Sequence, residues 1–147
     1  MLKFWVAILV IVSLTCQKYT IGFTPFPARY WLVMENGLEH DTIDLQCKRY
    51  VNDDEKEVLG LQHIPPSGNF SFNFKTTFFK TIYKCNVTWP NHGRLTDMTG
   101  FEDDQPFEDY DCGGRHCTWK FASDAIYLFN LRKQRFIQVG TWDKWSV

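Results

Sequence analysis

The sequence predicts an all-β fold, an antiparallel β-sandwich of about seven to eight short strands stabilised by disulfides. Three observations predict it. Apolar and polar residues alternate with a period of two in several short runs. Aromatic residues make up 17% of the 147 residues, with 13 Phe, 6 Trp and 6 Tyr, and such side chains suit a pleated, half-buried surface. Helical spacing is poor throughout, while Gly- and Pro-rich turns recur between the runs. The length fits one domain.

The first element is not part of that domain. The stretch "MLKFWVAILVIVSLTCQKYTIGF" has one early lysine, then an apolar run from Phe4 to Leu14, then small and polar residues. This is the pattern of a secretory signal peptide over residues 1–22, cleaved somewhere between 15 and 22 and leaving a single domain over 23–147. The run is about 11 residues, short of the roughly 20 that a spanning helix needs. No later stretch is long and apolar enough for a stable membrane anchor, so the expected location is extracellular.

Strands follow in order. Trp31–Glu35 is the first. In "TIDLQCK", Ile43, Leu45 and Cys47 share one face, against Thr42, Asp44, Gln46 and Lys48 on the other. Val58–Ile64 is the next strand, closed by the turn Pro65-Pro66-Ser67-Gly68. In "FSFNFK", Phe70, Phe72 and Phe74 alternate with Ser71, Asn73 and Lys75. In "FKTIYKCNVTW", Phe79, Tyr83, Cys85, Val87 and Trp89 share a face, and the turn Pro90-Asn91-His92-Gly93 ends the run. In "HCTWKF", Cys117, Trp119 and Phe121 align, opposed by His116, Thr118 and Lys120. Ala125–Asn130 and Phe136–Val139 complete the set. Trp142 and Trp145 fall outside this pattern and are expected to cap the sandwich edge or lie in a tail.

The cysteines stand at 16, 47, 85, 112 and 117. Four remain once Cys16 leaves with the signal, an even number in a small secreted chain, which reads as a disulfide framework with three possible connectivities. Cys47, Cys85 and Cys117 all lie on apolar faces. Two sequons, Asn69-Phe70-Ser71 and Asn86-Val87-Thr88, fit N-glycosylation at positions where a glycan spares the core.

Other chemistry finds no support. One Cys-x4-Cys beside an outward-facing His116 is not the paired-ligand spacing of structural zinc. The segment "FEDDQPFEDYD" carries Glu102, Asp103, Asp104, Glu108, Asp109 and Asp111 with no base between them. It lacks the spacing of an EF-hand loop and reads as a solvated acidic loop. There is no G-x-S-x-G elbow, no H-E-x-x-H and no phosphate-cradling glycine loop, so no catalytic residue, metal or cofactor is expected. The net charge of −1 offers no basic field for nucleic acid, and the cluster Arg132, Lys133 and Arg135 is modest.

Five segments in order resemble the plant self-incompatibility protein family, the S-protein homologues. They are "VMENGL", "DLQCKRYVNDDEKEVLG", "GNFSFNFK", "TIYKCNVTW" and "CGGRHCTWKFASDAIYLFN", spread over roughly Trp31 to Asn130. Arg49 stands where the family often has Ser, extra residues separate Asp53 and Asp54 from Leu59-Gly60, and Ala125 replaces the usual Gly after Asp124. The resemblance implies a secreted β-sandwich with two disulfides, acting as an extracellular ligand of a cell-surface receptor protein. The family is named for pistil-side ligands that trigger rejection of self pollen. It supplies no catalytic residues. The expected pairing is Cys47–Cys117 with Cys85–Cys112, which joins inward-facing strand positions beside Trp119. Recognition is expected on the loops Tyr50–Glu57, with Asp53, Asp54 and Glu55, and Phe101–Asp111, with Glu102, Asp103, Asp104, Glu108 and Asp109. A secreted defence or toxin-like protein acting on microbes or membranes is the alternative, and the near-neutral charge argues against it. The oligomeric state is left open.

Overall fold

A computed structural model describes residues 28–103 and 114–142. The expected signal at 1–22, together with Cys16, Cys112, Asp104, Glu108, Asp109, Asp111 and Trp145, lies outside the described residues.

The described residues form ten strands in two facing sheets: β1 (Arg29–Asn36), β2 (Ile43–Val51), β3 (Asp54–Val58), β4 (Gln62–Ile64), β5 (Asn69–Lys75), β6 (Thr81–Trp89), β7 (Gly93–Glu102), β8 (His116–Phe121), β9 (Ile126–Asn130) and β10 (Arg135–Gly140). The first sheet has the order β10-β9-β8-β1-β5 and the second β3-β2-β6-β7, with β4 also paired to β2. The fold is therefore an all-β sandwich, as the alternation predicts. No helix among the described residues is long and apolar enough to cross a membrane.

Three details differ from the sequence reading, each for a physical reason. One neighbouring pair is parallel, since β8 lies beside β1 with Leu32 opposite Cys117 and Met34 opposite Trp119. The expected strand Val58–Ile64 is divided along one side of β2, because Val58 ends β3 opposite Lys48, residues 59–61 leave the ladder, and pairing resumes with Gln62 opposite Leu45 in β4. β7 has no period-two signature in the sequence, because register shifts at Tyr83/Lys84 and Cys85/Val87 spoil its alternation. Its buried residues are Leu95, Met98, Gly100 and Phe101, a spacing that no period of two describes.

The alternating faces otherwise fall as expected. Ile43, Leu45, Cys47, Phe74, Tyr83, Cys85, Val87, Cys117, Trp119 and Phe121 are all buried, and Phe70, Phe72 and Trp89 pack against them in part. Trp119 ties the two sheets together, its Nε1 donating to the Gly100 carbonyl at 2.8 Å. Glycine is needed there: a Cβ at Gly100 meets Cys85 Sγ at 3.1 Å and Met34 Cε at 3.2 Å.

The expected disulfide pairing is overturned. Cys47 is bonded to Cys85, so neither Cys47–Cys117 nor Cys85–Cys112 exists. Alternation placed the cysteines on inward faces but carries no register. β2 and β6 are neighbours in one sheet with Cys47 directly opposite Cys85, whereas Cys117 belongs to the other sheet. Cys117 is also disulfide-bonded.

One end of the sandwich is closed by hydrogen bonds. Asn36, from "VMENGL", is buried at the end of β1. Its Nδ2 donates to the carbonyls of Asp41 at 2.8 Å, Ile64 at 2.9 Å and Pro65 at 3.1 Å. Its Oδ1 accepts from Leu38 N at 3.0 Å. No other uncharged side chain of that length offers two donors and an acceptor in one plane. Trp89 Nε1 donates to Asp41 Oδ2 at 2.9 Å. Trp142 Nε1 donates to the Ala122 carbonyl at 2.8 Å, so Trp142 caps the sandwich instead of trailing from it.

Candidate recognition surface

The opposite end collects the loops on which recognition was expected. Val51 pairs with Thr81 and Ile82 with Glu102, so the tip after β2, the start of β6 and the end of β7 lie side by side. Asn52 N donates to the Lys80 carbonyl and Asp103 N to the Thr81 carbonyl, both at 2.9 Å. Among the described residues, the β2–β3 tip and Phe101–Asp103 thus share one surface.

Their internal structure is tighter than a loop. Tyr50 and Val51 belong to β2, and Asp54 to Glu57 belong to β3, leaving Asn52 and Asp53 as the turn. Both have positive φ, 52° and 66°, the left-handed pair of a two-residue hairpin, and Asn and Asp are the non-glycine residues that tolerate it best. Phe101 and Glu102 belong to β7, with Phe101 buried.

The surface is of mixed charge, not simply acidic. Glu55 pairs with Lys48 at 3.0 Å and Asp54 with Lys56 at 3.3 Å. Glu102 pairs with Lys80. The Glu55 carboxylate, by its hydrogen bond and its charge, holds the Lys48 ammonium above its ordinary range. These pairs are exposed and add little to stability. What they do is fix which charges point where. Among the described residues, no group of three or more His, Cys, Asp or Glu side chains converges as a metal site would require.

The segment between β5 and β6 supplies what the sequence reading missed. Phe78 is 80% exposed and Phe79 64%. Alternation had placed Phe79 inward, but β6 begins only at Thr81. Thr77 sets the conformation: its Oγ1 donates to the Phe79 carbonyl at 2.8 Å and accepts from Phe79 N at 3.2 Å. That local turn takes both rings off the core face. Two adjacent Phe residues cannot both face inward on a strand, and "TTFFK" carried that signal.

Behind Phe78 a groove of about 590 Å³ opens between β5 and the β2–β3 hairpin. Phe72, Phe74, Leu59 and Tyr83 line it, with Arg49 and Glu57 at its polar side. Burial pushes the Tyr83 hydroxyl up to about 12.

The remaining predicted sites lie elsewhere. Asn69 is exposed at the start of β5. Asn86 is half-buried in β6, and its Oδ1 accepts from Asp97 N at 2.9 Å, supporting the irregular stretch of β7. Its Nδ2 is not used in that bond. His116 lies on the outer face, stacked on Trp31 with ring centroids 6.3 Å apart, away from Cys117.

A family model described as plant self-incompatibility protein S1 matches residues 31–142. Among individual relatives, the Arabidopsis thaliana protein named S-protein homolog 2 is 30% identical over 70% of this chain, and S-protein homolog 3 of the same plant is 27% identical over 69%. The match spans 61% and 64% of the length of those two relatives. S-protein homolog 1, also from Arabidopsis thaliana, is 25% identical over 96% of this chain and 95% of its own length.

Proposed function

Since the chain belongs to the plant self-incompatibility protein S1 family, we propose that it is a secreted extracellular ligand in cell–cell signalling. In this reading it works by binding a cell-surface receptor protein rather than by catalysis. Rejection of self pollen on the pistil side is the setting to which the family's name points.

The observation that carries the reading is the contrast at the hairpin end. Two adjacent phenylalanines are mostly exposed there, beside an apolar groove and next to fixed charges of both signs, and a contiguous apolar patch rimmed by polar residues supports a contact surface. The Cys47–Cys85 bridge suits the oxidising exterior. The apolar N-terminal run supplies an export signal, and Asn69 and Asn86 are proposed to carry glycans on arrival outside the cell.

The test is binding of the labelled, oxidised mature protein to intact plant cells from several tissues. Saturable, protease-sensitive binding in one tissue is expected, lost when Phe78 and Phe79 are both changed to Ser and weakened when Asp53, Asp54 and Glu55 are changed to Lys. Binding that is absent from every tissue, or indifferent to both sets of changes, rules this reading out.

A further inference from the structure

β5 is the edge strand of the first sheet, and which of its main-chain groups are free follows from the register. Thr76 N donates to the Ala28 carbonyl at 3.0 Å, and Asn36 N to the Gly68 carbonyl at 2.8 Å. These bonds bracket the β1–β5 ladder and set its parity, because hydrogen-bonded pairs recur every second residue. Phe70, Phe72 and Phe74 therefore bond to β1. Asn69, Ser71, Asn73 and Lys75 turn their N–H and C=O groups away from it, and among the described residues no strand pairs with that side.

The groove lies along the same edge. Arg49 reaches into it from β2, and its Nη2 makes only a long 3.5 Å contact with the Lys75 carbonyl. Arg49 Nε is buried and has no hydrogen-bond partner among the described residues. Glu57 faces Arg49 in the β2–β3 register, yet the two form no ion pair. A guanidinium N–H removed from solvent without an acceptor is costly, and a carboxylate is the acceptor that fits it best.

We propose that the free edge of β5 and the adjoining groove bind an extended peptide segment of the partner, which joins the first sheet as an added strand. Alternate side chains of that strand enter the groove, an aromatic or aliphatic one against Phe72, Phe74 and Leu59, and an Asp or Glu two positions away at Arg49. Main-chain bonds to Ser71, Asn73 and Lys75 give affinity, and the apolar–x–acid spacing gives selectivity. Phe78, on the groove rim, folds over the segment from outside. Asn69 lies at the far end of β5, so a glycan there leaves the Asn73–Lys75 stretch accessible. This proposal rests on the receptor-ligand reading and names the chemistry of the partner.

The experiment pans a display library of random linear peptides against the oxidised mature protein and then measures the affinity of a synthetic consensus peptide. The expected consensus is an apolar residue two positions from Asp or Glu. Arg49→Met, which keeps the apolar stem, is expected to weaken that peptide at least about tenfold. Glu57→Gln, which removes the competing carboxylate, is expected to tighten it about threefold. N-methylating alternate peptide residues removes the ladder bonds without touching the protein, and is expected to abolish binding. No enriched consensus overturns the proposal, as does a peptide indifferent to both Arg49→Met and N-methylation. A concentration-dependent dimer that Asn73→Pro dissolves overturns it too, since a second copy then occupies the edge. Cell binding that persists without peptide enrichment defeats the groove alone. Peptide binding without any cell binding defeats the receptor reading alone.

Discussion

The two ends of the sandwich treat their polar groups in opposite ways. At the end of β1, Asn36 uses both amide protons and its oxygen on four main-chain groups, and Trp89 and Trp142 each use their indole N–H within the chain. At the hairpin end Phe78 and Phe79 stand in solvent, Arg49 Nε has no acceptor among the described residues, and the β5 edge turns its main chain outward. The first end uses these polar groups within the chain. The second leaves an apolar groove, a buried guanidinium nitrogen and a strand edge open, which the proposed partner would complete. The difference teaches where stability and recognition are divided in this fold: substitutions at the closed end should cost folding, and those at the open end should cost binding.

The disulfide lies between the ends, and its removal is the largest expected effect. Cys47 and Cys85 are 38 residues apart, so a Cys47→Ala/Cys85→Ala variant is expected to lose about 4 kcal/mol in urea unfolding under non-reducing conditions. Peptide mapping without reduction should return a Cys47–Cys85 cross-link. A Cys47–Cys117 cross-link instead would break the register on which both ends depend.

Asn36→Ala comes next and strikes the closed end alone. It strands three carbonyls and the Leu38 N–H in a buried site, with an expected loss of about 2–3 kcal/mol. The measurement is the denaturant midpoint, and cell binding of the folded fraction should be unchanged. A variant that unfolds no more easily but loses binding would erase the distinction between the ends.

What was legible in the sequence follows the same division. Alternation found the core faces of β2, β6 and β8, because a residue facing a closed core has no choice of side. It missed β7, whose bulges break the period, and it set Phe79 inward by extending the β6 pattern two residues beyond Thr81. It placed Cys47, Cys85 and Cys117 on inward faces but joined the wrong ones, because a pattern along one strand says nothing about which strand lies next to it. The "VMENGL" asparagine was visible as a family signature, while its structural task, bonding four main-chain groups from two segments, needs the fold to be seen. Arg49 looked like a mere departure from the family's serine and is the residue whose buried nitrogen marks the groove.

Tyr83, at the groove floor, gives a smaller effect that reads the open end through pH. Its hydroxyl ionises at about 12 in the folded chain against an ordinary value of 10.0, because burial disfavours the charged form. The raised value means the unfolded chain releases this proton first as pH rises. The contribution to stability is therefore complete below pH 10 and declines between 10 and about 12. Tyr83→Phe should flatten that decline relative to the parent chain, and absorbance titration should show a late-ionising tyrosine in the parent that is missing from Tyr83→Phe. A Tyr83 that titrates with the exposed tyrosines would show the groove floor to be wet and the apolar seat for a partner's side chain to be missing.

The smallest expected effect on folding belongs to the residues with the largest expected effect on binding. Phe78 and Phe79 are held outward by Thr77, so changing both to Ser removes only the buried minority of each ring, and the unfolding free energy should fall by about 1–2 kcal/mol at most. An exposed aromatic ring adds little to the folded chain, and in the proposed reading its use lies in what covers it. A double variant that stays within that loss and shows no cell binding would separate the two ends cleanly. A double variant that unfolds markedly more easily would mean that these rings pack on the groove in solution, and the open end would then close itself in the way Asn36 closes the other.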